Sequence, residues 1–292
     1  MRDRPVGIFD SGLGGLTVLN SMKTVLPGES YIYVGDTARL PYGEKDAETL
    51  LAYGREIIRF LQEKEVKSII VACGTISSNV MDNLRSEFNM PIFDVVCPGI
   101  DAAIALTTSP HSAHTAAISS DGINKKKRVG IIATAATVKS GFFQRKLMEK
   151  NPSLEVEAIA CPLFVPLIEK GWSEHALAGP IVENYLNIWK VNPIDTLILG
   201  CTHFPLLTQN IKRVLNDVVL IDMAVSTTEV VRDYFIENNL LNEDSFVISD
   251  KTCLDRNHYT EKNVEFFVSG NLETFNDMGS QITGYNISAQ KF

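Results

Sequence analysis

The 292-residue chain has no apolar run approaching the roughly 18 residues that a membrane-spanning helix needs. It has no basic excess either: 27 Lys and Arg stand against 35 Asp and Glu, a net charge of −8. That balance repels phosphate backbones, so no nucleic-acid partner is expected. The five cysteines (Cys73, Cys97, Cys161, Cys201 and Cys253) are odd in number and contain no C-x-x-C spacing. A disulfide framework and a zinc ribbon are therefore not indicated, and the thiols are expected to be free. The start, MRDRPVGIFDSG, carries no apolar signal region before what reads as a first strand, so the expected location is cytoplasmic with no membrane partner. With 45% apolar and 21% charged residues the chain is neither disordered nor fibrous, and its length suffices for two domains of about 150 residues.

Short runs rich in branched residues recur along the chain: 6–9, 31–36, 68–73, 92–96, 129–134, 156–161, 196–201 and 218–222. Between them lie amphipathic stretches such as TLLAYGREIIRFLQEKE, where apolar residues fall three and four apart. This alternation predicts an α/β fold of mainly parallel sheets flanked by helices. The segment 107–127 is polar, holds Pro and Gly and ends in a basic cluster, which marks a surface loop or insertion. The tail after Gly284 is expected to fray.

Ligands of open α/β sheets bind outside the carboxyl ends of the strands, and those ends are rich in chemistry here. Asp10 and Ser11 follow the first run, Cys73 to Thr75 the third, Thr134 to Thr137 a middle one and Cys201 to His203 a late one. Two ends resemble each other: SIIVACGT and TLILGCTH are both an apolar run, a small residue, a Cys and then Thr within two positions. They suggest two similar lobes that each offer one thiol.

Each feature has a plainer reading. DSGLGG (10–15) lacks the third glycine of a dinucleotide fingerprint, since Thr17 stands there, and no G-K-[ST] occurs, so it reads as a tight strand-to-helix turn. TARLPYGEKD reads as a turning loop around Tyr42 and Gly43, although its backbone N–H groups could hold a carboxylate. A free Cys is most often a small buried apolar residue. Cys73 and Cys201 differ because each stands where a strand gives way to a helix, a setting that makes a thiolate available. Cys97, Cys161 and Cys253 lack that pattern and read as structural. Of the histidines only His203 joins a candidate site; HSAH (111–114) is a lone pair without acidic or thiol neighbours, and no metal is expected. No Lys stands where a Schiff base would form, so pyridoxal phosphate is not indicated and no cofactor is expected.

Taken in order, FDSGLGGLTVL, YVGDTARLPYGEK, VACGTISSN, CPLFVPLIEKG, LGCTHFPLL and FFVSGNLETF resemble the glutamate racemases, from about residue 6 to residue 283. The resemblance implies a cofactor-independent isomerase that interconverts L-glutamate and D-glutamate for peptidoglycan, and so serves cell-wall biogenesis and cell shape, acting as a cytoplasmic homodimer. It implies two α/β lobes with the active site between them: 1–98 plus 210–292 as one lobe, 99–209 as the other. It further implies that Cys73 and Cys201 are the catalytic pair, and that Asp10, Ser11, Tyr42, Gly43, Thr75, Thr202 and His203 bind substrate or assist the thiols. Glu169 matches a carboxylate placed near the second cysteine, and Thr134 and Thr137 match a strand end that holds the substrate carboxylate. One position departs from the pattern: the family has Asn after the first cysteine where this chain has Gly74. Each hydrogen bond lost with an Asn amide is worth about 0.5–1.5 kcal/mol.

Inverting an α-carbon without a cofactor means removing a proton on one face and delivering another on the opposite face. Two groups on facing lobes can do this, one deprotonated and one protonated, with roles exchanged between directions. Asp10 pairs with Cys73 and His203 with Cys201 in this reading. Two alternatives stay open: a racemase of aspartate or another small acidic amino acid, and a catalytically weak relative that binds a ligand.

Overall fold

The structure, a computed structural model, describes residues 1–108, 127–243 and 263–292. Its strands are β1 (Val6–Asp10), β2 (Tyr31–Gly35), β3 (Ser68–Val71), β4 (Ile92–Asp94), β5 (Arg128–Ala133), β6 (Glu155–Ala160), β7 (Thr196–Leu199), β8 (Val219–Asp222), β9 (Val264–Val268) and β10 (Ala289–Lys291). They form a six-stranded sheet in the order β10-β9-β2-β1-β3-β4 and a four-stranded sheet in the order β6-β5-β7-β8. Every pairing is parallel. Strands buried on both faces need apolar residues at successive positions rather than at alternate ones, which is why VGIF, SIIV and TLIL are continuous runs. The helices follow equally local rules. In Ala47–Glu63 the buried positions Leu50, Gly54, Ile57, Ile58 and Leu61 keep to one stripe, and the Asp46 carboxylate accepts from the Thr49 N–H to cap the first turn.

The chain leaves the first sheet after β4 and returns to it after β8, so the first sheet is built from both chain ends and the second from the middle. β8 corrects the division at residue 210. It pairs with β7 from Thr196↔Val219 to Leu199↔Asp222 and belongs to the second sheet, because its parallel register continues that of β5 and β7. One face of each sheet contributes to a common core with the helices Leu16–Val25, Val96–Thr108 and Met223–Glu237. The opposite faces carry separate cores. Among the described residues no helix is long and apolar enough to cross a membrane.

The tail is ordered, contrary to the expectation of fraying. β10 lies parallel to β9, the Ala289 N–H donates to Asn276 Oδ1 at 2.9 Å, and Phe292 packs against Phe60 with ring centroids 5.2 Å apart. Backbone pairing at the sheet edge supplies what the sequence Ala-Gln-Lys has no apolar pattern to announce. Of the segment 107–127, Thr107 and Thr108 end the helix Val96–Thr108 and Lys127 precedes β5. The remainder lies outside the described residues, as do His111, His114, Cys253 and His258.

Candidate active site

The residues that follow β1, β3, β5 and β7 meet where the two sheets face each other. Cys73 ends the run of β3 and is the residue before the helix Gly74–Asn79. Cys201 follows β7, but what comes next is a tight turn and the 3-10 segment Phe204–Leu207, so the expected α-helix start is displaced to Thr208. Pro205 at the head of that segment favours the tighter winding. Both thiols are buried and both are free.

A chain of side chains leads away from Cys201. His203 Nδ1 lies 3.7 Å from the Cys201 sulfur, and His203 Nε2 lies 3.0 Å from Glu169 Oε1. Burial alone would lower the imidazole pKa, but the hydrogen bonds to Cys201 and Glu169 prevail and hold it well above the usual histidine range. The imidazole is thus charged at neutral pH, with one N–H directed at the sulfur and one at the carboxylate.

Cys73 has the opposite surroundings. Burial, followed by the charge of Asp10, pushes its thiol up to about 12. A bond from the backbone of Ile76 and one with the Ser11 side chain act the other way and are outweighed. Cys73 therefore keeps its proton in the unliganded molecule. Asp10 is fixed by the N–H groups of Gly12 and Gly15, which donate to its Oδ2 at 3.1 and 3.0 Å.

Glycines let the lobes close on each other. A Cβ at Gly14 would lie 2.3 Å from His203 Nδ1 and 2.7 Å from Thr202 Oγ1, so only a glycine fits over that pair. Beside it the Thr17 hydroxyl donates to the Thr202 carbonyl at 3.0 Å. On the far side of the seam Thr75 Oγ1 and Thr134 Oγ1 are 3.0 Å apart, and Thr134 Oγ1 donates to Thr137 Oγ1 at 2.9 Å.

A cavity of about 140 Å³ opens in this seam. Of the sequence-derived residues, Ser11, Tyr42, Gly43, Thr75, Thr134, Cys201 and His203 line it. Asp10, Cys73, Gly74, Thr137, Thr202 and Glu169 are not part of its lining; they stand behind it, each touching or adjoining a residue that is. The lining also includes Leu40, Pro41, Glu44, Ala135, Cys161, Pro162, Val165 and Pro166, which sequence reasoning did not select. Cys161, read as structural, stands at the carboxyl end of β6, the same strand-end position that singled out the other two thiols. Pro162 follows it in a turn, and the next helix begins at Phe164.

The loop that carries Tyr42 and Gly43 is anchored by Asp36, which is fully buried. The Tyr42 hydroxyl donates to Asp36 Oδ2, Ser269 Oγ donates to Oδ1 at 2.6 Å, and Arg39 Nε donates to Oδ1 at 2.9 Å. Burial and then the Asp36 charge hold the Tyr42 phenol far above its usual range, so it remains a donor. Among the described residues no group of three or more His, Cys, Asp or Glu side chains could hold a metal ion.

Comparison with known proteins agrees with this geometry. The Asp/Glu/Hydantoin racemase family model matches residues 14–231. Glutamate racemase 2 of Caldanaerobacter subterraneus is 38% identical over 288 residues, covering 98% of this chain and 96% of that protein. The glutamate racemase of Neisseria meningitidis serogroup C is 40% identical over 256 residues, covering 85% and 88%. The crystal structure of the Francisella tularensis glutamate racemase in complex with D-glutamate superposes with a TM-score of 0.81 at 32% identity, covering 99% of this chain and 97% of that one. A Bacillus anthracis glutamate racemase isoform gives 0.84 at 29% identity, covering 100% and 98%. The chain belongs to the glutamate racemases of the Asp/Glu/hydantoin racemase family. It is an amino-acid racemase, an isomerase, with the two-sheet α/β fold of those structures.

Proposed function

We propose that this protein interconverts L-glutamate and D-glutamate by a two-base reaction between Cys73 and Cys201, without a cofactor. The single observation that carries the reading is the unequal condition of the two thiols. Cys73 holds its proton, while Cys201 lies beside a charged imidazole that can hold or return a proton. One acid and one base on facing lobes are what a proton exchange across a stereocentre requires.

In one direction the Cys201 sulfur takes the α-proton while the Cys73 thiol delivers its own to the opposite face; the reverse reaction exchanges the roles. The hydroxyls of Thr75, Thr134 and Thr137 give up their mutual bonds for a substrate carboxylate, and Ser11 and the Tyr42–Gly43 backbone receive the other. Their fixed dipoles stabilise the negative charge that develops as the proton leaves. Asp10 orients Cys73, and Glu169 holds His203 against Cys201. Gly74 and Thr202 serve by letting the lobes meet around the substrate.

The product D-glutamate suits peptidoglycan synthesis, and with it cell-wall biogenesis and cell shape, in the cytoplasm; a homodimer is the proposed assembly. An assay with both enantiomers of glutamate and of aspartate tests the substrate. Inversion of glutamate with little turnover of aspartate is expected. Preference for aspartate would replace the substrate, and binding without inversion would replace the reaction.

A further inference from the structure

In a two-base racemase each turnover leaves the enzyme with its proton on the other thiol. The free enzyme must then lose a proton from one sulfur and gain one on the other before the same enantiomer can react again. Both thiols are buried, at 4% and 6% exposure, so the proton needs a route.

A second cavity, of about 170 Å³, is walled in part by Glu169, whose carboxylate reaches the His203 imidazole on the wall of the first. It is bounded by Leu13, Thr37, Leu40, Asn271, Thr274 and Phe275 and also by Glu169. Leu40 borders both cavities, so the two are neighbours. His203 is itself buried, but the Glu169 side chain that it touches is 21% exposed. Among the described residues no comparable lead runs from Cys73: Asp10 is buried and its Oδ2 is occupied by two backbone N–H groups.

We propose that this second cavity is the port through which the Cys201 proton exchanges with solvent, by way of His203 and Glu169. The inference rests on the two-base reading above. After Cys201 has taken the α-proton, the thiol, the imidazolium and the Glu169 carboxylate hold three protons between them, and the Nε2 proton moves to Glu169 Oε1. The imidazole is left neutral and the carboxyl protonated, and the Cys201–His203 pair again holds the two protons of a thiolate and an imidazolium. Glu169 then releases that proton to a water or buffer base in the second cavity. Charge balances at each step, and one proton leaves without crossing the substrate cavity.

The reset step belongs to the free enzyme, so losing the port lowers kcat and leaves kcat/KM nearly unchanged; a purely structural role for Glu169 would lower kcat/KM as His203 shifts. Two variants separate these cases. Glu169→Gln removes the proton carrier, and Thr274→Trp covers the cavity from an exposed rim position without touching His203 or either thiol. The experiment measures racemisation in both directions against substrate concentration, with and without added imidazole at fixed pH and ionic strength. Imidazole is a small diffusible proton carrier.

For both variants kcat is expected to fall, by roughly 10²-fold in Glu169→Gln, the low end for one positioned acid–base group. Imidazole should recover a good part of that loss while leaving the wild type unchanged. No imidazole response in either variant, or a loss confined to kcat/KM, overturns the port while leaving the two-base reading in place. Cys201→Ser, run in the same series, tests that reading: if it racemises at the wild-type rate, the reading and the port fall together.

Discussion

Gly74 faces the carbonyl of Gly200 so closely that a Cβ at position 74 would stand 2.8 Å from the oxygen. The same Cβ would lie 3.9 Å from the Cα of Cys201, so backbone from the Cys73 strand end meets backbone from the Cys201 strand end with no side chain between them. Where the family pattern places Asn, this chain closes its seam main chain to main chain. The departure that the sequence marks as a lost amide is, in the structure, a close approach of the two lobes.

Gly74→Ala should therefore strain the seam. Overpacking of a well-packed contact costs about 1–3 kcal/mol, and the oxygen it meets belongs to backbone that cannot rotate away. Urea unfolding should show the loss, with KM for glutamate rising in parallel. Unchanged stability and KM would mean that the seam yields freely.

The buried pair Lys67–Glu29 makes a second prediction. Both side chains are fully buried, Nζ and Oε2 are 2.5 Å apart, and Lys67 also donates to the carbonyls of Arg2 and Leu240, each at 2.8 Å. Glu29 Oε1 in turn accepts from the Asn242 N–H at 2.9 Å. The cluster ties the chain start and the segment after the helix Met223–Glu237 to the first sheet. Lys67→Met should cost about 3–5 kcal/mol, because it strands a buried carboxylate. The double variant Lys67→Met/Glu29→Leu should recover part of the loss in denaturant titrations.

Alkaline pH should weaken the fold. The Cys73 thiol, buried first and beside Asp10 second, is pushed up to about 12; an unfolded cysteine titrates near 8.5. Above that value the unfolded chain releases a proton that the folded chain keeps. Stability then falls as pH rises toward 12, by up to about 1.4 kcal/mol per pH unit for each such thiol. Cys161, raised to about 12 chiefly by burial, acts in the same sense. Denaturation midpoints between about pH 8.5 and 10.5 should decline less steeply in Cys73→Ser than in wild type. Equal slopes would contradict the buried, protonated thiol.

Asp10 and His203 should act on different thiols. Enantiomers have equal free energy, so any variant lowers kcat/KM for racemisation equally in both directions, and one-sided effects must be read in a reaction that one base begins. Elimination from a glutamate analogue with a leaving group on its β-carbon is such a reaction. His203→Asn should slow elimination from the enantiomer served by Cys201, by roughly 10²-fold or more, and Asp10→Asn that from the enantiomer served by Cys73. Equal losses for both enantiomers would dissolve the pairing.

Much of this architecture is legible in the sequence because the central strands, buried on both faces, write themselves as apolar runs, and the partly exposed β6 and β8 keep shorter ones. All eight runs from 6–9 to 218–222 correspond to β1 through β8, and the strand ends that carry Cys73 and Cys201 stand out on the same ground. What escapes is what depends on distant partners. β10 has no apolar pattern and exists because β9 offers it an open edge. The place of β8 in the second sheet is a matter of register with β7. Glu169 and His203 lie 34 positions apart and no spacing rule links them; only the family resemblance, not the residue pattern, puts Glu169 near the second cysteine. Cys161 could have been found by treating every strand end alike, whether or not a proline follows.

The most direct test compares Cys73→Ser and Cys201→Ser on both enantiomers of the β-substituted analogue. Each variant should lose racemisation yet still eliminate from one enantiomer, and the surviving enantiomer should differ between the two. If both variants spare the same enantiomer, or either racemises glutamate at the wild-type rate, Cys73 and Cys201 do not work from opposite faces of the substrate.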